Sequence, residues 1–446
     1  MRSMLRWTPW LTLAAPLALA VMTTLAVVDA YTPAPFQDYW DTLYWWREAV
    51  RKGFPWSWLP SQHNEHRILL PRLVFLADFA WFRGTNVLNM AVIALTQALG
   101  ALLFLRAGLR RGGALAIVGT ALALGLIVSL VQWENLFWGF QVQMTGVAAT
   151  AAWAIWHFSH ADADGANRAG RLGAAVLLLA VATFTMANGL FAGIAMVLAG
   201  LAARRNWRSL ALVGALTAGL MGLYLWGYHP VASHSPASAA LQDPAGFVTY
   251  ALNYLGNPCA LGDRPRAAAF GAIGTALTAA MTVLVFRDRG RDPAQLAMFG
   301  IVLFAGMSAA ATALGRLSLG LEYSLSSRYA TGACYFWAAQ ALFWAFRVQG
   351  WSRVFQWALG AAFVTALLVL FKVQDTHRPG LEDADRRIER AVAAMVSGRA
   401  DDEAFKSLYP DPDKVRYLGD FLCEQRMSVF ARRPDDAPPC PRLTTQ

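Results

Sequence analysis

The chain reads as an all-α polytopic membrane protein with about 11 transmembrane helices. Three observations lead there. Of its 446 residues, 57% are hydrophobic and only 15% charged, where a soluble chain carries roughly a quarter charged. Apolar runs of about 20 residues, the length that crosses a bilayer, recur along it. Arginines gather in alternate turns between those runs, the bias that sets membrane orientation.

The runs are Leu11–Val28, Val87–Leu105, Leu115–Val131, Phe140–Phe158, Leu172–Met186, Leu190–Ala203, Leu210–Trp226, Ala267–Phe286, Leu296–Leu314, Tyr329–Phe346 and Val354–Phe371. Arg2 and Arg6 precede the first, as in a signal peptide, but no clear small-residue cleavage site follows. The first run is therefore read as a retained helix. The turns Arg106–Arg111, His157–Arg171, Arg204–Arg208, Arg287–Arg291 and Arg347–Arg353 carry the arginine. The turns Trp133–Trp138, Met186–Gly189, Tyr228–Arg266 and Gly315–Arg328 are poor in it for their length. This alternation predicts a cytoplasmic N-terminus and an extracytoplasmic C-terminus. The Ala- and Arg-rich composition suggests a bacterial inner (plasma) membrane.

Residues 1–371 form the predicted membrane region and 372–446 a small helical tail outside it. In the tail, Ile388, Ala391, Val392 and Met395 recur at helical spacing. Tyr409-Pro410-Asp411-Pro412 reads as a break, with a second short helix over Val415–Phe430. Cys423 and Cys440 could pair in an oxidising compartment. Cys259 is placed outside, and Cys334 lies in an apolar run as a packing residue.

The net charge of +10 resides largely in membrane turns. No separate basic stripe with stacking aromatics points to nucleic acid. Nucleotide-binding loops and a hydrolase elbow are also missing.

Polar residues concentrate on the predicted outer face. Between the first and second spans, Asp38, Asp41, Trp45, Glu48 and Lys52 fall on one side of a helix from about Gln37. Trp40, Leu43, Tyr44 and Trp46 fall on the other, as in an amphipathic helix lying on a bilayer. Its carboxylates either face water or include a general base, with Asp38 and Asp41 as candidates. Gln62-His63-Asn64-Glu65-His66-Arg67 precedes an apolar segment, Ile68–Phe82, that is interrupted by Pro71, Arg72 and Asp78 and suited to the interface. There, His63, His66 and Arg67 would share one side of a helical turn. His63, Glu65 and His66 could hold a divalent cation, or Asn64 and Glu65 could serve a helix start. Arg67 suits a phosphate.

Further on, Glu134 and Asn135 lie among Trp133, Phe137 and Trp138, a composition that fits a sugar pocket or an aromatic belt. Asn188 reads as a turn residue. The loop 228–266, with His229 and His234, reads as mobile and able to cover a site. Arg316 and Arg328, next to Tyr329, stand against the positive-inside tendency. Each would pair with a carboxylate such as Glu322 or hold an anionic substrate.

This layout resembles the GT-C superfamily of membrane glycosyltransferases. The resemblance rests on a first span followed by a long loop with two interfacial helices, Gln37–Lys52 and Glu65–Phe82, and on the loop carboxylates Asp38 and Asp41. It covers roughly residues 1–371 as topology. Two aspartates three apart depart from the adjacent acids of many protein mannosyltransferases, so the choice of base stays open. The helical tail is not a general mark of the superfamily.

The resemblance implies transfer of a sugar from a polyprenyl-phosphate carrier to an envelope glycan or lipid acceptor. Asp38 or Asp41 would be the base, and Arg328, with Arg67 or Arg316, would steady the leaving phosphate. Glu134 and Asn135 would shape the sugar pocket, and a divalent cation would be optional. The alternatives are a lipid-linked glycan transporter or flippase and a non-catalytic envelope-assembly scaffold.

Overall fold

The computed structural model describes residues 9–163, 165–231, 238–434, 436, 439, 440, 442 and 443. Arg2, Arg6 and His234 lie outside them. Among the described residues there is no strand, only an isolated bridge between His63 and His66.

The helices, in chain order, are α1 (Ala14–Asp29), α2 (Tyr39–Lys52), α3 (Leu69–Phe82), α4 (Val87–Arg111), α5 (Ala114–Ile127) and α6 (Trp133–Phe137). Then come α7 (Val142–Ala161), α8 (Arg168–Thr185), α9 (Gly189–Ala202), α10 (Trp207–Leu225), α11 (Ala239–Gln242) and α12 (Pro244–Gly256). The last are α13 (Arg264–Asp288), α14 (Pro293–Arg316), α15 (Ala330–Val348), α16 (Arg353–Val396), α17 (Asp402–Leu408) and α18 (Pro412–Glu424).

Among the described residues, 8 helical segments are long and apolar enough to cross a membrane, which makes this a multi-pass membrane protein. Each of the other three predicted spans is also helical. The α9 helix has 14 residues, short for a crossing. The α7 and α15 helices have 20 and 19 residues and lie largely buried in the bundle. Their polar residues, Gln143, Thr145 and His160 in α7 and Thr331 and Gln340 in α15, find protein surroundings there.

An Asp-Pro pair starts three of the helices. Asp243, Asp292 and Asp411 accept bonds from the first free N–H groups of α12, α14 and α18, with proline just inside each start. The loop 228–266, expected to be mobile, contains α11 and α12. Tyr250 and Tyr254 of α12 are buried. A Cβ on Gly271 of α13 would stand 2.0 Å from the Leu252 carbonyl oxygen, so the two helices touch backbone to backbone. Asn188 occupies the predicted turn between α8 and α9.

Turns predicted to share a face do meet. At one end Arg111 pairs with Asp292 at 2.6 Å, and Arg347 pairs with Asp288. At the other, Arg316 pairs with Glu65 at 2.6 Å. Cys334 is fully buried, as expected of a packing residue.

The predicted boundary after residue 371 falls inside one helix. The α16 helix has 44 residues, about 66 Å at 1.5 Å per residue. A hydrocarbon core of about 30 Å leaves its second half outside the bilayer. That half, with α17 and α18, folds back onto the first loop. Ile388, Ala391, Phe405 and Leu422 share an apolar core with Tyr39, Trp40, Leu43, Phe75 and Phe140. Backbone bonds sew the two together: the Gln37 N–H to the Leu408 oxygen at 2.6 Å, and the Ser428 N–H to the Arg83 oxygen at 2.8 Å. Arg47 of α2 lies beneath the Tyr417 ring, 4.1 Å away. The tail thus covers one side of α2, while Tyr44, Trp45 and Val50 on it stay exposed. Cys423 and Cys440 are joined by a disulfide.

Candidate functional site

A cavity of about 230 Å³ opens where α2, residues 58–63, the start of α3 and the tail meet. Asp41, Trp45, Trp58, His63, Arg72 and Lys414 are among its lining. The first two spans are followed and preceded by the two helices that shape it. Buried Asp78 fixes that arrangement by accepting the N–H groups of Asn86 and Leu88 at the start of α4 and the Tyr39 hydroxyl of α2.

The two candidate bases differ in their surroundings. Asp41 accepts the Tyr409 hydroxyl at 2.9 Å and pairs with the Lys414 ammonium, both from the tail. Burial, reinforced by the Asp41 charge, pushes the Tyr409 hydroxyl well above its usual pKa, so it stays a donor. Asp38 precedes the first turn of α2 and makes no capping bond. Its side chain is 39% exposed, with Oδ2 3.8 Å from His63 Nε2. That nitrogen is buried without a hydrogen-bond partner among the described residues.

The segment 63–66 is not helical, because Asn64 takes a left-handed turn (φ 48°). His63 and His66 exchange backbone bonds, and their rings go different ways. His63 packs on Phe140 at 5.3 Å, while His66 Nε2 lies 3.3 Å from Glu65. Asn64 caps nothing; Ile68 is the residue before α3. No group of three or more His, Cys, Asp or Glu among the described residues is placed to hold a metal ion.

Arg67 binds backbone, not a free anion site. Nε donates to the Tyr224 oxygen at 2.8 Å, Nη1 to the Pro60 oxygen at 2.7 Å, and Nη2 to the Trp226 oxygen. It ties the loop to the end of α10. Gln62 adds a two-way clamp on the His229 backbone.

Glu65 and Arg316 form a second polar group. Burial raises the Glu65 carboxyl, but the His66 hydrogen bond and charge and the Arg316 charge outweigh it, holding the pKa at about 2. Tyr329 stacks on Tyr254 at 5.8 Å near this pair.

Glu134 accepts from the hydroxyls of Ser326 at 3.1 Å and Ser327 at 2.6 Å and from the Arg328 N–H at 3.0 Å, and pairs with the Arg328 guanidinium at 3.3 Å. Its partner is therefore Arg328, while Arg316 pairs with Glu65; among the described residues the suggested Glu322 pairs with neither and reaches Arg264 at 4.0 Å. Asn135 is fully buried and donates to the Arg328 oxygen and the Thr331 hydroxyl, both at 2.8 Å. Both residues stabilise a turn and do not line the cavity.

The expected residues thus fall into neighbouring groups. Asp41 and His63 line the cavity, and Asp38 lies beside His63, outside the lining. Glu134, Asn135 and Arg328 lie across an aromatic wall in which Trp138 stacks on Phe140. Glu65, His66, Arg316 and Tyr329 form the third group. Trp138 connects two of them: its indole N–H donates to the Phe36 oxygen, and Arg328 lies 6.0 Å from its ring. Sequence reasoning missed Lys414 and Tyr409. Their only signal was a tail helix with apolar and charged sides, which does not say what it covers. Comparison with protein-family models, curated proteins and solved structures gives no match.

Proposed function

We propose that the chain is a GT-C-like glycosyltransferase of the bacterial plasma membrane. It would move a sugar from a polyprenyl-phosphate carrier to an envelope glycan or lipid acceptor on the extracytoplasmic face. The observation that carries this is the contrast between the two first-loop aspartates. Asp41 is neutralised by Lys414, whereas the carboxylate of Asp38, just after the first span, accepts no hydrogen bond among the described residues and lies 3.8 Å from His63.

Asp38 takes the proton of an acceptor hydroxyl. The oxygen attacks the anomeric carbon with inversion as the bond to phosphate breaks, and polyprenyl phosphate leaves with the electron pair. Buried His63 Nε2 orients or relays the proton. Arg328 steadies the leaving phosphate; Glu134 and Ser326 hold its Nη2 and Nε, leaving Nη1 for the anion. The Cys423–Cys440 bond supports an oxidising side for the tail, in agreement with the arginine bias. All eleven apolar helices crossing, with N-terminus in and C-terminus out, fits both.

The test is transfer from a labelled polyprenyl-phosphate sugar by purified protein. Asp38→Asn should lower the rate by about 10²–10⁴-fold, the range for a general base. Asp41→Asn should cost far less. Equal activity of Asp38→Asn and wild type would remove Asp38 from the chemistry.

A further inference from the structure

Arg72 has no part in the transfer chemistry above, yet it is only 3% exposed. Its Nη1 donates to the carbonyls of Trp58, Leu59 and Ser61 and to the Ser61 hydroxyl. Its guanidinium sits 4.6 Å from the Trp58 ring centre. All these partners are neutral, and no carboxylate pairs with it among the described residues. Burial, with the like charge of Arg67, brings it down to about 10. A buried charge without a counter-ion is unfavourable. Arg72 nevertheless lines the cavity, and its Nε and Nη2 make no hydrogen bond among the described residues. Such a fork suits a carboxylate or phosphate.

The rest of the lining has the character of a sugar site. Trp45 is 36% exposed and stacks on Trp58 at 6.0 Å. Ser61, Gln62 and His63 offer donors and acceptors. Lys414 pairs with Asp41, so among the lining residues Arg72 is the cation left without a carboxylate. The volume of about 230 Å³ equals roughly eight waters at about 30 Å³ each. That is room for one sugar ring and far too little for a polyprenyl chain.

We propose that this cavity receives a monosaccharide unit bearing an anionic group, with that group against Arg72 and the ring on Trp45. The inference rests on the cavity being the acceptor side of the transferase proposed above, and it names the acceptor class: an acidic sugar.

The experiment is calorimetric titration of the purified full-length protein with glucuronate, glucose 6-phosphate, glucose and inorganic phosphate. One or both anionic sugars should bind at least tenfold tighter than glucose, and phosphate should bind more weakly than the tighter of them. Whichever sugar wins distinguishes carboxylate from phosphate. Arg72→Lys should erase most of this preference. Because Arg72 also holds the loop, Trp45→Ala is the second variant; it should weaken sugar binding and leave phosphate unaffected. The wild-type contrast needs neither variant. Glucose binding as tightly as both anionic sugars, or no binding of either, would overturn the proposal, as would phosphate matching the tighter sugar. An anion preference without any transfer activity would sink the transferase reading alone. Transfer to neutral acceptors with no such preference would sink this inference alone.

Discussion

Glu65 shows how a single side chain here carries both placement and charge. Its carboxyl joins the first loop to Arg316 at the end of α14 and is held at about 2. A depressed carboxylate adds stability that is fully present above its ordinary pKa of 4.5 and is lost as pH falls through about 2. Glu65→Gln should therefore lower the melting temperature at neutral pH, by the equivalent of about 1–3 kcal/mol. The gap from wild type should close as pH drops from about 4.5 toward 2. A gap independent of pH in thermal melts would show that the charge does not matter there. The roles of Arg67 and Arg328 were only half legible at this scale. Arg67 read as a phosphate ligand and Arg328 as a charge at the membrane edge, but the partners, carbonyls at 60, 224 and 226 and a carboxylate at 134, come mostly from distant parts of the chain.

At the scale of elements, the close approach of α12 and α13 depends on glycine. Gly271→Val would drive side-chain carbons into the Leu252 carbonyl. It should cost about 1–3 kcal/mol by forcing the helices apart, read as a lower unfolding temperature with faster hydrogen exchange over 244–256. Unchanged exchange there would contradict the packing. The tail ends in a cross-link that closes a separation of 17 residues. Removing it with Cys423→Ser and Cys440→Ser should reduce protection of α18 by up to about 3 kcal/mol, the loop-closure value for that size. Lys414 would then be held less firmly on Asp41. Helix positions were readable from apolar runs, without the Asp-Pro starts. The turn at 63–66 was not, since a polar hexapeptide fits a helical turn as well as it fits the left-handed Asn64 that is present.

For the whole molecule, orientation is the sharpest expectation. A periplasmic reporter enzyme fused after Gln446 should be active, and a fluorescent protein that matures only in the cytoplasm should stay dark there. The reverse pattern would place the tail and cavity on the cytoplasmic side and end the proposal of polyprenyl-phosphate chemistry outside. The fold-back of α16 to α18 makes the tail a wall of the cavity, so the two predicted segments meet at the candidate site.

The amino-acid sequence alone determined that the chain is helical and multi-pass, and where its helices run. Hydropathy and arginine bias are local properties, and they suffice for that. It also marked Asp38, Asp41 and the polar segments between the spans as unusual. Only the tertiary structure decided which of them stand free. Lys414 and Tyr409 lie more than 360 residues from Asp41 along the chain, and a carboxylate's availability depends on what folds against it, which no local pattern encodes.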